Sequence, residues 1–152
     1  MRIFRLIIGG CFALFMVAVA ILGCQHPSDS HLSSQKDGVF IHISNGSNDP
    51  HRVLMALNMA NIMSQDRDVL VYFDIKGVEV VLKDAPDLTF SHFPSSRAQL
   101  NNLLQKGVPI YVCPGCLKAA GKTEADVMPG ILIANKEAFF QFTQGRILTL
   151  DY

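Results

Sequence analysis

The stretch DVLVYFD, Asp68 to Asp74, constrains the fold more than any other part of this chain. Its interior is apolar without interruption, it is too short for a helix, and it shows no in–out alternation. That is the pattern of a strand covered on both faces, as in a parallel sheet buried between helices. The flanking sequence supplies the covering elements. VFIHIS, Val39 to Ser44, is a second strand followed by the turn-rich NGSNDP. Asp49 can cap a helix and Pro50 suits its first position, so a helix is expected from about His51 to Ser64, with Val53, Leu54, Leu57 and Ala60 facing the sheet. GVEVVLKDA, from Gly77, fits either a short helix or a strand. In SSRAQLNNLLQKG, Ser96 and Gln99 have capping-box spacing and Gly107 marks the end. VPIYVC (Val108 to Cys113) reads as a strand, with a short helix around Leu117 to Ala120. GILIAN (Gly130 to Asn135) is a further strand, KEAFFQFTQG a helix and RILTLDY a closing strand. Strands alternate with crossovers long enough for parallel pairing. The expected class is α/β: a three-layer sandwich with about five mostly parallel strands, over residues 38–152. Ligands of such sheets collect beyond the carboxyl ends of the strands.

The N-terminus is a separate matter. Arg2 and Arg5 head a run, Leu6 to Gly23, that carries no charge and ends in ILGC. This is the layout of an export signal, and it resembles a bacterial lipobox with Cys24 as the lipid acceptor. Residues 1–23 are expected to be removed, and 24–37, polar and aperiodic, to tether a membrane-anchored domain on the periplasmic side of the cell envelope. Without Arg2 and Arg5, eleven basic residues face thirteen acidic ones. No basic stripe exists, which argues against nucleic acid as a partner.

Two cysteines remain for chemistry in the folded part, Cys113 and Cys116 in YVCPGCLKAAG. Pro114 favours the first helical position and drives Cys113 out of helical angles, so Cys113 becomes the N-cap and Cys116 the third helical residue. Free N–H groups there lower a thiol pKa. Cys113 is the expected nucleophile and Cys116 its resolving partner. A haem tether would need His where Leu117 stands. A zinc site would need two more soft ligands, so no metal and no cofactor are expected. A purely structural disulfide is the bland alternative, but so short a loop adds little stability.

VPIYVCPGCLKAAG, with its apolar strand delivering a cysteine and Gly121 eight residues on, resembles the DsrE/DsrF-like family, as do NGSNDPHRVLMALNMA, DVLVYFDIKGVEVVLKD and GRILTLDY. The resemblance covers about Val39 to Tyr152. It implies a five-stranded parallel sheet, homo-oligomers, and a cysteine carrying sulfane sulfur as a persulfide, a role that falls on Cys113. It also implies sulfur donor and acceptor proteins as partners, although an exported chain is separated from the cytoplasmic acceptors of such relays. Two other classes stay open: a non-catalytic oligomeric binding or assembly module, and a CxxC thiol–disulfide oxidoreductase. Whether the chain turns over a substrate is left open.

Other residues have plainer roles beside the functional ones. Asn45, Asp49, His51 and His92 are candidates for a pocket, and Phe90, His92 and Phe93 for a lid over Cys113, or they are merely caps and loop anchors. His51, Met55, Met59 and Met63 recur every four residues. Such a stripe suits Cu(I), but methionines at helical spacing more commonly pack a core or an oligomer seam. Lys118 and Lys122 follow the cysteines as exposed helix residues or as favourable charges. Asp74 ends a strand on the ligand side or simply turns the chain.

Overall fold

The structure is a computed structural model and describes residues 37–142 and 145–152. The signal, Cys24 and the tether up to residue 36 lie outside the described residues. The elements run β1 (Gly38–Ile43), α1 (Pro50–Met63), β2 (Asp68–Phe73), a 3-10 segment (Ile75–Val81), α2 (Ser96–Gln105), β3 (Ile110–Val112), α3 (Pro114–Ala119), a 3-10 turn (Glu124–Asp126), β4 (Leu132–Ile133), α4 (Lys136–Phe142) and β5 (Ile147–Asp151). All five strands pair in parallel in the order β4-β3-β2-β1-β5. The α/β class is as expected, and the sheet is wholly rather than mostly parallel.

Period-two alternation sorts the side chains. Val39, Ile41, Ile43, Val69, Val71, Phe73, Ile110 and Val112 share one face and are buried. They meet Val53, Leu54, Leu57 and Ala60 of α1 and Leu100 and Leu103 of α2, also buried. Each large aliphatic side chain so covered stabilises by roughly 1.5–3 kcal/mol. The chain steps from β1 to β4 in one direction across the sheet, and right-handed crossovers keep α1 and α2 on this face. The return from β4 to β5 puts α4 on the other face. There Phe139 packs on Phe40, Tyr72 and Tyr111 at centroid distances of 6.0, 5.1 and 6.1 Å. This second layer is one short helix, so Leu132 remains 47% exposed.

GVEVVLKDA resolves as the first of its two readings, a short helix: residues 75–81 form 3-10 turns, and Leu82 makes an isolated bridge to Val127. At Gly77 a Cβ would lie 2.1 Å from the Ile43 carbonyl oxygen, so the segment hugs the end of β1. One expectation needs correction, the capping box of α2. Ser95 is the N-cap, accepting from the Ala98 N–H at 3.4 Å, and the Arg97 N–H donates to Asp87 at 2.9 Å. Ser96 and Gln99 turn inward and are buried, and the Gln99 amide donates to the carbonyls of Leu54 and Pro94 at 3.2 and 2.8 Å. The C-terminus is as the sequence indicates. Gly107 has φ +73°, and the Gly107 and Val108 N–H groups bond back to Leu104 and Leu103.

Among the described residues, no helix is long and apolar enough to cross a membrane.

Candidate functional site

Cys113 follows β3 and caps α3. Its φ and ψ of −68° and 117° are extended, Pro114 opens the helix, and the Cys116 N–H donates to the Cys113 sulfur at 3.4 Å. Gly121, φ +69°, closes the helix one turn later. Both thiols are free and half-buried.

The two sulfurs are not equivalent. Burial raises the Cys113 pKa, but the nearby Tyr72 hydroxyl, the backbone N–H groups of Cys116 and Gly115 and the Cys116 thiol all favour the thiolate, and the net shift is downward. Burial also raises Cys116. The Ile75 N–H works against this, but the neighbouring Cys113 sulfur and the Asp74 carboxylate add to it, and Cys116 ends above its ordinary value. A thiolate on Cys113 beside a thiol on Cys116 is therefore the favoured arrangement. Such an order is what a nucleophile beside a proton-bearing partner requires.

Strand register places Tyr72 beside the strand that leads to Cys113. Asp151, His42, Tyr72, Tyr111 and Leu132 stand opposite one another across β5, β1, β2, β3 and β4. This rung lies on the face that α4 covers lightly. Two residues further along, Asp74 and Cys113 emerge on the same side of the strand ends. His42 stacks on Tyr72 at 5.7 Å and 22°. Its Nδ1 lies 2.7 Å from Asp151 and its Nε2 2.8 Å from Asp74. Burial disfavours the imidazolium, but the two carboxylates outweigh it and the His42 pKa rises.

The turn after β2 completes the site. Ile75 takes φ +45°, a left-handed conformation costly for a β-branched residue. Next to it, the Lys76 and Gly77 N–H groups donate to the Ser44 carbonyl at 3.1 and 3.2 Å.

Over residues 37–147 the sequence matches the DsrE/DsrF-like family. The chain belongs to this family. Solved structures agree in fold. YchN from E. coli is 16% identical with a TM-score of 0.57, covering 76% of this chain and 99% of its own. MTH1491, a protein of unknown function from Methanobacterium thermoautotrophicum, is 21% identical with a TM-score of 0.55, covering 77% and 99%. BT1422, a conserved protein of unknown function from Bacteroides thetaiotaomicron, is 14% identical with a TM-score of 0.53, covering 78% and 98%. At these identities the likeness concerns the fold alone. No curated protein is a sequence match to this chain.

Within this DsrE-like domain the residues singled out from the sequence fall into two groups. Cys113 and Cys116 adjoin each other at the carboxyl end of β3. Asn45, Asp49, His51 and His92 have local partners. Asn45 accepts from Asn48 at 3.3 Å, Asp49 caps α1 and pairs with Arg52 at 3.2 Å, His51 stacks on Phe90 at 4.4 Å, and His92 stacks on Phe93 at 4.6 Å. Met59 and Met63 pack against the core, while Met55 is exposed. Lys122 pairs with Asp84 at 3.1 Å. Among the described residues, no group of three or more His, Cys, Asp or Glu side chains is placed to hold a metal ion. Sequence reasoning passed over His42, Tyr72 and Asp151. Their signal was there, since each is a polar or amphipathic residue at the last outward position of an apolar strand.

Proposed function

We propose that the protein is an envelope-anchored sulfur carrier that holds sulfane sulfur as a persulfide on Cys113, with Cys116 as the resolving thiol. Supporting this reading, above all, is the unequal ionisation of the two thiols, Cys113 lowered and Cys116 raised. Family membership and fold point the same way.

The chemistry balances without an added oxidant. The Cys113 thiolate attacks the terminal sulfur of a persulfide or polysulfide donor. A sulfur–sulfur bond forms on Cys113, the donor's bond breaks, and the donor leaves as its thiolate. An acceptor thiolate then takes the outer sulfur and regenerates Cys113. Failing that, Cys116 loses its proton and attacks the Cys113 sulfur. This forms the Cys113–Cys116 disulfide and releases hydrosulfide. A Cys116 that stays protonated delays this second outcome, which a carrier requires.

The test is intact mass after exposure of the reduced protein to polysulfide. The expected result is a gain of one sulfur that Cys113→Ser abolishes; no adduct on the wild type refutes the reading. The same two thiols also suit a thiol–disulfide oxidoreductase, which would reduce insulin with both cysteines required. A non-catalytic assembly module would behave identically with both cysteines replaced. Export, lipid attachment through Cys24 and homo-oligomer formation are parts of the proposal that rest on the sequence. Loss of membrane association in Cys24→Ala tests the anchor.

A further inference from the structure

The rung at the carboxyl end of the sheet holds more ionisable chemistry than two thiols need. His42 is gripped from both sides by carboxylates, Asp74 at 2.8 Å and Asp151 at 2.7 Å. The contact to Asp151 is a hydrogen bond. The contact to Asp74 is a close charge pair off the axis of the ring N–H. Neither His42 Nε2 nor Asp74 Oδ1 makes a well-aligned hydrogen bond, although both atoms are shut off from solvent. An imidazole can face carboxylates with both nitrogens as donors only when it is protonated. The ring also stacks on Tyr72, which pairs with the strand leading to Cys113 and whose hydroxyl favours the Cys113 thiolate.

We propose that His42 is a positioning residue for the thiol pair: as an imidazolium between Asp74 and Asp151, stacked on Tyr72, it neutralises Asp74 and so keeps Cys113 ionised and reactive. Asp74 is the pivot, since it pairs with His42 and its charge also acts on Cys116 and Tyr72, opposing the ionisation of both. With the imidazolium in place, Asp74 is balanced. Without it, an uncompensated carboxylate acts on Cys116 and on the Tyr72 phenol, and it follows directly on Phe73, whose carbonyl accepts from the Cys113 N–H at 2.9 Å. A thiolate next to it is disfavoured, and the phenol becomes a poorer hydrogen-bond donor. The titratable groups facing His42 are Asp74 after β2, Asp151 from β5 and Tyr72 from β2; α4 brings only the apolar Phe139 to this cluster. This inference deepens the sulfur-carrier reading and takes its biological meaning from it. The ionisation it describes can be measured with no sulfur donor present.

The experiment is the rate of iodoacetamide alkylation of Cys113 against pH, resolved by peptide mass, in the reduced full-length chain. Wild type is compared with His42→Gln, Asp74→Asn and the double variant. His42→Gln is expected to slow Cys113 about three- to tenfold near pH 7, the effect of one unbalanced charge beside a half-buried thiolate. Asp74→Asn is expected not to slow it, and the double variant to recover the Asp74→Asn rate. A His42→Gln profile matching wild type overturns the proposal, and so does a double variant as slow as His42→Gln. If His42→Gln fails to fold, Asp74→Asn alone decides. It must lower the pH at which Cys116 begins to react, and an unchanged Cys116 profile refutes the role of Asp74. If polysulfide leaves no adduct while the His42 effect persists, the carrier reading falls and the positioning role stands. An adduct with no His42 effect overturns the positioning role and leaves the carrier reading in place.

Discussion

Tyr72→Phe removes one oxygen atom and is the sharpest single perturbation of the site. The ring's packing survives, since its edge contact with Phe139 at 5.1 Å and its stacking on His42 at 5.7 Å involve the ring alone. What is lost is the hydroxyl whose influence does most to offset the burial of Cys113. A hydrogen bond to a charged group contributes about 1.5–3 kcal/mol, and solvent access to a half-buried sulfur argues for the lower end. About 1.4 kcal/mol corresponds to one pKa unit, so the thiolate fraction at neutral pH should fall about tenfold. Ellman's reagent or iodoacetamide under pseudo-first-order conditions, followed by peptide mapping, reports this as a tenfold slower Cys113 reaction. At high pH, where the thiol is ionised in either protein, the two rates should converge. A rate unchanged at neutral pH would show that Tyr72 does not stabilise the thiolate. A deficit persisting to high pH would show that it acts on access rather than ionisation. Either result refutes the reasoning.

Cys116→Ser should leave the one-sulfur adduct on Cys113 intact and longer-lived, because no internal thiol remains to expel hydrosulfide; time-resolved intact mass checks this. Gly77→Ala should cost roughly 3 kcal/mol or more in urea unfolding, since the added methyl would meet the Ile43 carbonyl at 2.1 Å and the backbone itself must move. Ile75→Gly should stabilise by about 1 kcal/mol in the same assay, because a 63%-exposed side chain with φ +45° gives up strain and little burial. The His42 contribution to stability should be full below pH 6.5, its unshifted value, and be lost as pH rises through the higher folded value. Urea midpoints of wild type and His42→Gln should therefore differ most in mild acid and converge in alkali.

How much of this was legible in the sequence depends on the range of the interaction. The apolar DVLVYFD, the Asp49-Pro50 helix start and the Gly107 stop act over a few residues, and each element appears close to where its pattern places it. Cys113 as N-cap was legible for the same reason, because Pro114 dictates the backbone on both sides of itself. The capping box of α2 was misread because Asp87, ten residues upstream of Arg97, supplies part of the cap, and spacing within the helix cannot show that. Residues 75–81 were ambiguous because their conformation answers to the Ile43 carbonyl of another strand. His42, Tyr72 and Asp151 went unnoticed for a related reason. Each is ordinary within its own strand, and only the register that aligns β5, β1 and β2 makes them a set.

That register also bears on why the chemistry sits on the lightly covered face. The proposed persulfide carrier would have to let a donor and an acceptor reach one sulfur in turn, so its sulfur could not be sealed. It must also be partly desolvated, or the hydrogen bonds that set its ionisation would be lost to water. A short α4 meets both demands. Phe139 shields Tyr72 and Tyr111, while the strand ends beyond them stay open. The opposite face, closed by α1 and α2, gives the rigidity against which the strained Ile75 turn is held. Strain at one residue persists only where its surroundings over-determine it. Here Gly77 against Ile43 and two N–H groups on the Ser44 carbonyl do so, and the Ile75 N–H stays near enough to Cys116 to lower its pKa. The difference between the two thiols thus draws on both parts: the N–H groups of Gly115 and Cys116 join Tyr72 in lowering Cys113, and Asp74 joins the Cys113 sulfur in raising Cys116.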